Sequence, residues 1–354
     1  MNADIELLHS MVATPSVSRD ETAAAELLVA HMNANGFDAH VDEAGNAIGL
    51  RSGPEADGER RTVVLLGHID TVPGEIPVRI EEGILHGRGA VDAKGSICAF
   101  TRAVASVEPA AGVDLVIAGC VEEEVETSAG ARHLRERFRP EACLIGEPSS
   151  WDALTLGYKG ILRLKADFEA PGGHSAGPLP HVAEAAAELW QRLKAWCEEF
   201  NAGRERLFDQ LLPSLQEFVT STDGLHDRVK LRVGFRLPPD FDPATLEAFC
   251  REQAAGAELE FLGHEVAWSS KATTPLARAL RRSILQQGGR GAAKHKTGTS
   301  DMNVVGPVWG CPIVAYGPGD STLDHTPEER LPLEDYEKSI AVLRGALIAG
   351  GWAS

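Results

Sequence analysis

The pattern of apolar and polar positions divides the chain into three stretches of different style. In the first, Ile5, Leu7, Leu8 and Met11 line one side of a helix. A second helix, with Ser18 as its N-cap, runs through Glu21 to about Asn35, where Gly36 stops it. Short strands are expected near 37–41 and 46–50, then a polar loop over 54–61. Thr62–Leu66 is a continuous apolar run, the signature of a strand buried on both faces. Asp114–Gly119 and Ala142–Ile145 repeat that pattern, with helices over Ser96–Val107 and Ser128–Phe138 between them. Buried strands alternating with helices predict an α/β layer with a mostly parallel sheet.

The style changes after about Gly160. Ile161, Leu162, Leu164, Ala166 and Phe168 predict a strand with one exposed face, and a long helix follows over about His181–Asn201. Val229–Leu237 alternates until Pro238-Pro239 breaks it, and a helix at Pro243–Ala254 and a strand at Ala257–Phe261 complete a small α+β set. From Pro275 the first style resumes, with a helix, a strand near Ile313–Tyr316 and a last helix near Leu333–Ala349. The expected organisation is a split catalytic α/β domain, residues 1–161 and 266–354, with an inserted α+β lid or dimerisation domain at 162–265.

Length supports two domains: 354 residues exceed one ordinary core. The net charge of −18 argues against nucleic acid and anionic membranes as partners. The six cysteines show no C-x2-C spacing, which disfavours a cysteine metal site. MNADIELLHS lacks the basic start and apolar run of a signal peptide, and no stretch approaches a membrane span, so a cytoplasmic protein is expected.

Five short motifs carry candidate chemistry. Gly67-His68-Ile69-Asp70 directly follows the first buried strand, which places His68 at a strand's carboxyl end, where open α/β sheets keep their sites. Asp70, two residues on, can accept the other ring N–H of His68 and fix its tautomer. Gly87-Arg88-Gly89-Ala90-Val91-Asp92-Ala93-Lys94-Gly95 is a glycine-rich turn able to aim one carboxylate into a cleft; it matches neither a dinucleotide nor a P-loop fingerprint. Glu122-Glu123-Glu124 follows the second buried strand, where adjacent carboxylates repel unless a cation offsets them. Gly146-Glu147-Pro148-Ser149 follows the third, and Asp324-His325-Thr326-Pro327-Glu328-Glu329 comes soon after the Ile313–Tyr316 strand. Singly, each motif reads equally well as a turn, a cap or an acidic surface run. As a set, two histidines and three carboxylates delivered to one sheet edge suffice for two borderline cations sharing a bridge.

With these motifs in this order over essentially its whole length, the chain resembles the M20 family of metallopeptidases and deacylases, which includes acetylornithine deacetylase and succinyl-diaminopimelate desuccinylase. The resemblance implies two zinc ions per subunit, with cobalt as a substitute. His68, Asp92 and Glu147 would hold one ion, and Asp92, Glu124 and His325 the other. In the family two glutamates precede a spacer and then Gly-Ala. Gly130-Ala131-Arg132 therefore sets the register that makes Glu123 the general base and Glu124 the ligand. The implied chemistry is hydrolysis of a linear amide: Glu123 takes a proton from a water between the cations and passes it to the leaving amine. His174, in Gly172-Gly173-His174-Ser175-Ala176, resembles a lid histidine that serves the partner subunit's site in homodimers. Arg236 resembles a lid arginine that grips a substrate carboxylate. The asparagine often found upstream of that arginine is missing from residues 220–230.

Three stretches, Gly157–Gly160, Val233–Pro239 and Lys296–Asn303, resemble the branch of the family that works in lysine and arginine biosynthesis. That branch releases lysine or ornithine from the γ-carboxyl of the C-terminal glutamate of a small acidic amino-group carrier protein. N-acetylornithine or another small N-acyl amino acid is the alternative substrate, and a non-catalytic binding protein on the same scaffold the alternative class. One feature of the residues bears on the carrier. Val266–Ser300 contains no acid but seven basic residues, Lys271, Arg278, Arg281, Arg282, Arg290, Lys294 and Lys296. Either they form a basic surface that steers an acidic carrier, or acids elsewhere in the fold neutralise them.

Overall fold

The computed structural model describes residues 3–174, 181–254 and 256–354. They form two units. One runs to Gly157 and takes in Ser269–His295 and Ser300–Ser354; the other is Tyr158–Trp268 with Lys296–Thr299.

In chain order the first unit begins with β1 (Asp38–Val41), β2 (Ala47–Ser52), β3 (Arg61–His68), β4 (Arg79–Glu81), β5 (Ile84–His86), β6 (Val113–Cys120), β7 (Ala142–Gly146) and β8 (Ala153–Tyr158). The second unit contributes β9 (Gly160–Pro171), β10 (Leu212–Thr222), β11 (His226–Leu237) and β12 (Ala257–Glu265). The chain then adds β13 (Trp268–Ser269), β14 (Ala292–Lys296), β15 (Ile313–Ala315) and β16 (Arg330–Pro332). The main sheet has the order β1-β2-β6-β3-β7-β15-β8-β13, with β14 paired to β8. Its central strands β6, β3, β7 and β15 are mutually parallel, as expected for the three apolar runs and the Ile313 segment. Val63–Leu66 are fully buried, and the helix Lys94–Ala105 lies against β3 with Ile97, Phe100 and Val104 in the same core.

The second unit has a four-stranded antiparallel sheet, β10-β11-β9-β12, packed on the helices Val182–Phe200 and Pro243–Gln253. The fold is thus mixed α/β, with a largely parallel central sheet and a separate antiparallel sheet.

Besides the short β4, β5, β13, β14 and β16, two longer strands escape the sequence pattern. β8 is six buried residues, Ala-Leu-Thr-Leu-Gly-Tyr, but Thr155 and Gly157 interrupt it, so the apolar run is broken. β10 is exposed along nearly all its length, so no buried face marks it. Ser18 also differs from expectation. The second helix starts at Thr22 with Glu21 as N-cap, and the Ser18 hydroxyl instead donates to Asp70 Oδ2 at 2.7 Å.

Candidate metal centre

The parallel register places the chemistry. His68 is level with Cys120, and Gly67 with Gly119 and Gly146. The segments that leave the sheet just beyond these positions therefore emerge at one edge: Glu122–Glu124 after β6, Glu147 after β7, and His68 itself. Glycine at 67 and 146 lets the two strands approach closely, since a Cβ on either would sit 3.1–3.3 Å from the other's Cα.

The His68 ring can be assigned from its partners. Nδ1 lies 3.0 Å from the Asp70 carbonyl oxygen, which has no proton to give, so Nδ1 donates. Nε2 then faces Asp92 Oδ1 at 3.2 Å and is the nitrogen a cation would take in place of a proton. Asp70 is fully buried and also accepts from the Glu123 and Glu124 backbone N–H groups at 3.1 and 3.0 Å. Burial works against its charge, but the hydrogen bonds from His68, Ser18 and Glu124 outweigh it and hold the carboxyl below its ordinary range. Asp70 thus orients His68 through its carbonyl oxygen, with its Oδ1 3.4 Å from the same nitrogen, and its carboxylate fixes the backbone of the acidic triplet.

Asp92 sits in a turn that contains Gly89 at φ +81°, a conformation L side chains avoid. Its two carboxylate oxygens face different histidines: Oδ1 faces His68 Nε2, and Oδ2 lies 3.1 Å from His325 Nε2. His325 Nε2 is also 3.0 Å from Glu124. Donor atoms of His68, Asp92 and Glu124 lie within 4.8 Å of one another. That span suits donors shared between two ions about 3.5–4 Å apart.

The electrostatics describe a site short of positive charge. Hydrogen bonds to Asp92 and Glu124 raise the His325 pKa to about 10. At His68, burial opposes the charge, yet the carboxylates of Asp70 and Asp92 raise its pKa well above the ordinary value. Imidazoles that hold protons this tightly stand in for cations, and divalent ions would displace those protons. The donors gathered here, the imidazoles of His68 and His325 and the carboxylates of Asp92 and Glu124, fit a borderline divalent ion.

Glu123 and Glu124 behave differently from Asp92. Burial, with Glu147, Asp301 and Glu124 as neighbouring charges, pushes the Glu123 carboxyl well above its ordinary value, and His68 only partly opposes this. Glu124 is raised by burial and opposed by its bond to His325. Glu122 turns elsewhere: its carboxylate accepts from Thr127 Oγ1 and lies 4.0 Å from Arg19, and its N–H donates to Glu21. Gly130 anchors this register, since a Cβ there would collide with Asn46 Oδ1 and the Val121 backbone. Glu147 is buried near Glu123 but outside the tight three-residue cluster.

Three contributors do not stand out in the sequence. Ser18 carries only the signal of a helix cap. Glu329 accepts from the Val91 and Asp92 N–H groups, and its only sequence signal is membership of the His325 motif. Asp301, the first residue of the helix Asp301–Trp309, is buried with neither carboxylate oxygen hydrogen-bonded among the described residues, and burial pushes its pKa up to about 7.

In the second unit, Arg236 lies on β11 opposite Ile161 and donates from Nη1 to Thr299 Oγ1 at 2.8 Å. His174 is exposed just beyond β9, while Ser175 and Ala176 of its motif lie outside the described residues. The basic block divides. Arg290 pairs with Asp152 at 2.7 Å, Lys294 donates to the Ser149 carbonyl, and Lys296 lies over the Tyr158 ring. Lys271, Arg278, Arg281 and Arg282 are exposed and lack an acid partner among the described residues; the last three share one face of the helix Pro275–Gln286.

Comparison with known proteins places these features. The family model described as peptidase family M20/M25/M40 matches residues 64–349. The chain is 48% identical to the LysW-lysine hydrolase of Deinococcus radiodurans, over 98% of this chain and 97% of that one. It is 38% identical to a putative LysW-lysine/LysW-ornithine hydrolase of Thermococcus kodakarensis, over 96% and 90%. Among solved structures, an M20 family metallo-carboxypeptidase from Sulfolobus solfataricus superposes with a TM-score of 0.80 at 17% identity, covering 99% of this chain and 100% of that one. A dinuclear metal-binding M20 peptidase from Bacillus subtilis gives 0.70 at 13%, covering 98% and 97%. At these identities the structural likeness speaks for the fold alone.

Proposed function

The chain belongs to peptidase family M20/M25/M40, hydrolases of amide bonds, and from that premise we propose that it releases L-lysine, or L-ornithine, from an acidic amino-group carrier protein. The bond cleaved joins the γ-carboxyl of the carrier's C-terminal glutamate to the α-nitrogen of the amino acid. Identity of 48% across nearly the full length of a LysW-lysine hydrolase supports that substrate. The setting is cytoplasmic lysine biosynthesis, with arginine biosynthesis if ornithine is also released. Among the described residues no helix is long and apolar enough to cross a membrane.

The observation that carries the chemistry is that Asp92 turns one oxygen to His68 and the other to His325. On this reading His68, Asp92 and Glu147 would hold one zinc ion, and Asp92, Glu124 and His325 the other, with cobalt able to replace zinc. When bound, such ions would lower the pKa of the attacking water and polarise the scissile carbonyl. Glu123 is the proton carrier. Burial and the neighbouring carboxylates raise its pKa, which favours its holding a proton between the two transfers. A carboxylate oxygen of Glu123 takes a proton from the attacking water, and the hydroxide adds to the carbonyl carbon. The C–N bond then breaks and Glu123 returns the proton to the departing α-amine; the new carboxyl gives up the water's second proton to that amine, leaving a free γ-carboxylate and an ammonium group. Asp70 contributes by holding His68 and the triplet backbone in place. By sequence resemblance Arg236 grips a substrate carboxylate and His174 serves the partner subunit's site.

We assign a homodimer formed through the second unit. β10 ends the sheet order β10-β11-β9-β12 and leaves Leu215, Phe218 and Val219 exposed, an edge suited to a second copy. The unpaired Arg278, Arg281 and Arg282 face supports an acidic carrier as the macromolecular substrate.

One zinc-loaded preparation assayed against carrier-linked lysine, carrier-linked ornithine and N-acetylornithine tests the substrate. The carrier-linked forms are expected to exceed N-acetylornithine in kcat/KM by at least about a hundredfold, because binding energy remote from the bond is available only with the carrier. Equal or reversed efficiencies would reject the carrier reading in favour of a small N-acyl amino acid.

A further inference from the structure

We propose that Glu329 is a positioning residue that clamps the Asp92 turn to the His325 loop, so that ligand-bearing segments far apart in sequence present their donors as one rigid unit. The inference rests on the two-metal reading above.

The geometry begins with a strand pair. β16 runs antiparallel to β5 with Arg330 opposite His86, which fixes the register between the chain just before the Asp92 turn and the chain just after His325. Glu329 is the residue preceding β16 and lies four positions after His325. Its side chain is fully buried and points into the turn. Oε1 accepts from the Val91 N–H at 2.9 Å and from the Asp92 N–H at 3.1 Å. Oε2 accepts from Arg88 Nη1 at 2.8 Å, and Arg88 Nε donates onward to the Gly74 carbonyl at 3.0 Å. The Gly87 N–H reaches the Glu329 backbone oxygen at 3.4 Å. Donors from residues 87, 88, 91 and 92 therefore converge on this one residue.

The residue type matters. Val91 is fully buried, so its N–H must find a partner inside the protein or be left unsatisfied. A carboxylate can accept from two backbone donors on one oxygen and a guanidinium on the other, and charge-assisted bonds of this kind are stronger and shorter than neutral ones. A glutamine would keep the backbone acceptor but offer an amide to Arg88. An alanine would leave the Val91 and Asp92 N–H groups and Arg88 without their acceptor. Because Asp92 is the proposed bridge, loosening its backbone should weaken both ions together rather than one.

Metal affinity is the direct readout. Chelator-stripped wild type, Glu329→Ala, Glu329→Gln and a core control, Val342→Ala, are titrated with Zn2+ in competition with a chromophoric chelator, and Tm is recorded for each. Wild type is expected to take up two ions per chain. Glu329→Ala is expected to bind both about 10–100-fold more weakly, the usual cost of losing an outer partner of a ligand. Glu329→Gln should fall between the two, and Val342→Ala should lose Tm without losing affinity. Cobalt-loaded Glu329→Ala should also show altered visible absorption. Wild-type affinity in Glu329→Ala, or in Glu329→Gln should the alanine variant not fold, overturns the inference. So does an affinity loss in Val342→Ala matching that of Glu329→Ala, since affinity would then merely track stability. Failure of wild type to bind two ions would remove the two-metal reading and this inference together, whereas wild-type binding by the Glu329 variants removes this inference alone.

Discussion

At the Asp92 turn the chain supplies its own partners. The Val91 and Asp92 N–H groups end on Glu329, and Asp70 collects donors from Ser18, Glu123 and Glu124. Only the imidazole and carboxylate faces of the cluster are left for small cations. Along β10 the opposite holds. One side pairs with β11, and beyond Pro213 every residue is exposed, with Leu215, Phe218 and Val219 at 41%, 38% and 49%. Among the described residues no strand covers the outer side. The first region is tied down by its own side chains, and the second is open along a whole strand. On the reading proposed above, the first is completed by cations and the second by another polypeptide, and that contrast predicts which substitutions act locally on chemistry and which act on assembly.

The largest effect should come from removing the shared ligand. Asp92→Ala is expected to lower kcat/KM by at least about ten-thousandfold, since it removes a contact to both ions at once. Metal analysis of the purified variant should find less than one ion per chain; two retained ions would break the bridging assignment. Stripping wild type with a chelator should abolish activity, and zinc or cobalt should restore it.

Metal removal should also invert the pH dependence of stability. His325 titrates near pH 10 in the metal-free fold against about 6.5 unfolded, so its contribution is fully present below pH 6.5 and is lost as pH rises toward 10. The raised Glu123 and Glu124 act in the same direction, because their protonated forms are also favoured by folding. Asp70 and Asp92, held low, complete their opposite contribution at acid pH. The chelated protein should therefore lose Tm steadily from pH 6.5 to 10. The zinc-loaded protein should not, because ligation requires the deprotonated donors. Parallel profiles for the two forms would contradict this.

At the open edge, a charge should disrupt assembly and leave the chemistry of the cluster intact. Val219→Glu with Phe218→Glu is expected to weaken self-association at least about tenfold, since buried unpaired charge is costly at an interface core. Sedimentation velocity reads the shift toward monomer. Metal content should stay at two ions, and an unchanged sedimentation coefficient would remove β10 as the interface.

Smaller still is the basic face. Reversing Arg281 and Arg282 to Glu should raise KM for carrier-linked lysine about five- to twentyfold at low salt, fading at high salt, and leave KM for N-acetylornithine unchanged. Equal effects on both substrates would end the steering role. The fold already separates the two readings of this block. Arg290 finds Asp152, so acids elsewhere do neutralise part of it, while Arg278, Arg281 and Arg282 meet none among the described residues.

The same contrast explains what could be read from the sequence. The central strands were legible because burial on both faces leaves an unbroken apolar run, as at Val63–Leu66. The cluster was legible because His68, Glu123, Glu124 and Glu147 each directly follow such a run, and parallel register carries all of them to one level. β10 was not, because an edge strand exposed along its length has no buried face to mark it. Ser18 and Glu329 were not, because their roles exist only through contacts 52 and more than 230 residues away along the chain.

The acidic triplet remains the point on which the chemistry turns. The structure directs Glu122 to Thr127 and Arg19, and surrounds Glu123 with His68, Glu147 and Glu124. The most direct measurement is the turnover of carrier-linked lysine by Glu123→Gln and Glu122→Gln, each with its metal content determined. Glu123→Gln should lose at least about a thousandfold in kcat, within the range of general-base removal, while retaining two ions. Glu122→Gln should stay within about twofold of wild type, as expected for a surface carboxylate. The reverse ranking, or a Glu123→Gln variant that turns over at the wild-type rate, would contradict Glu123 as the proton carrier of a two-metal amide hydrolase.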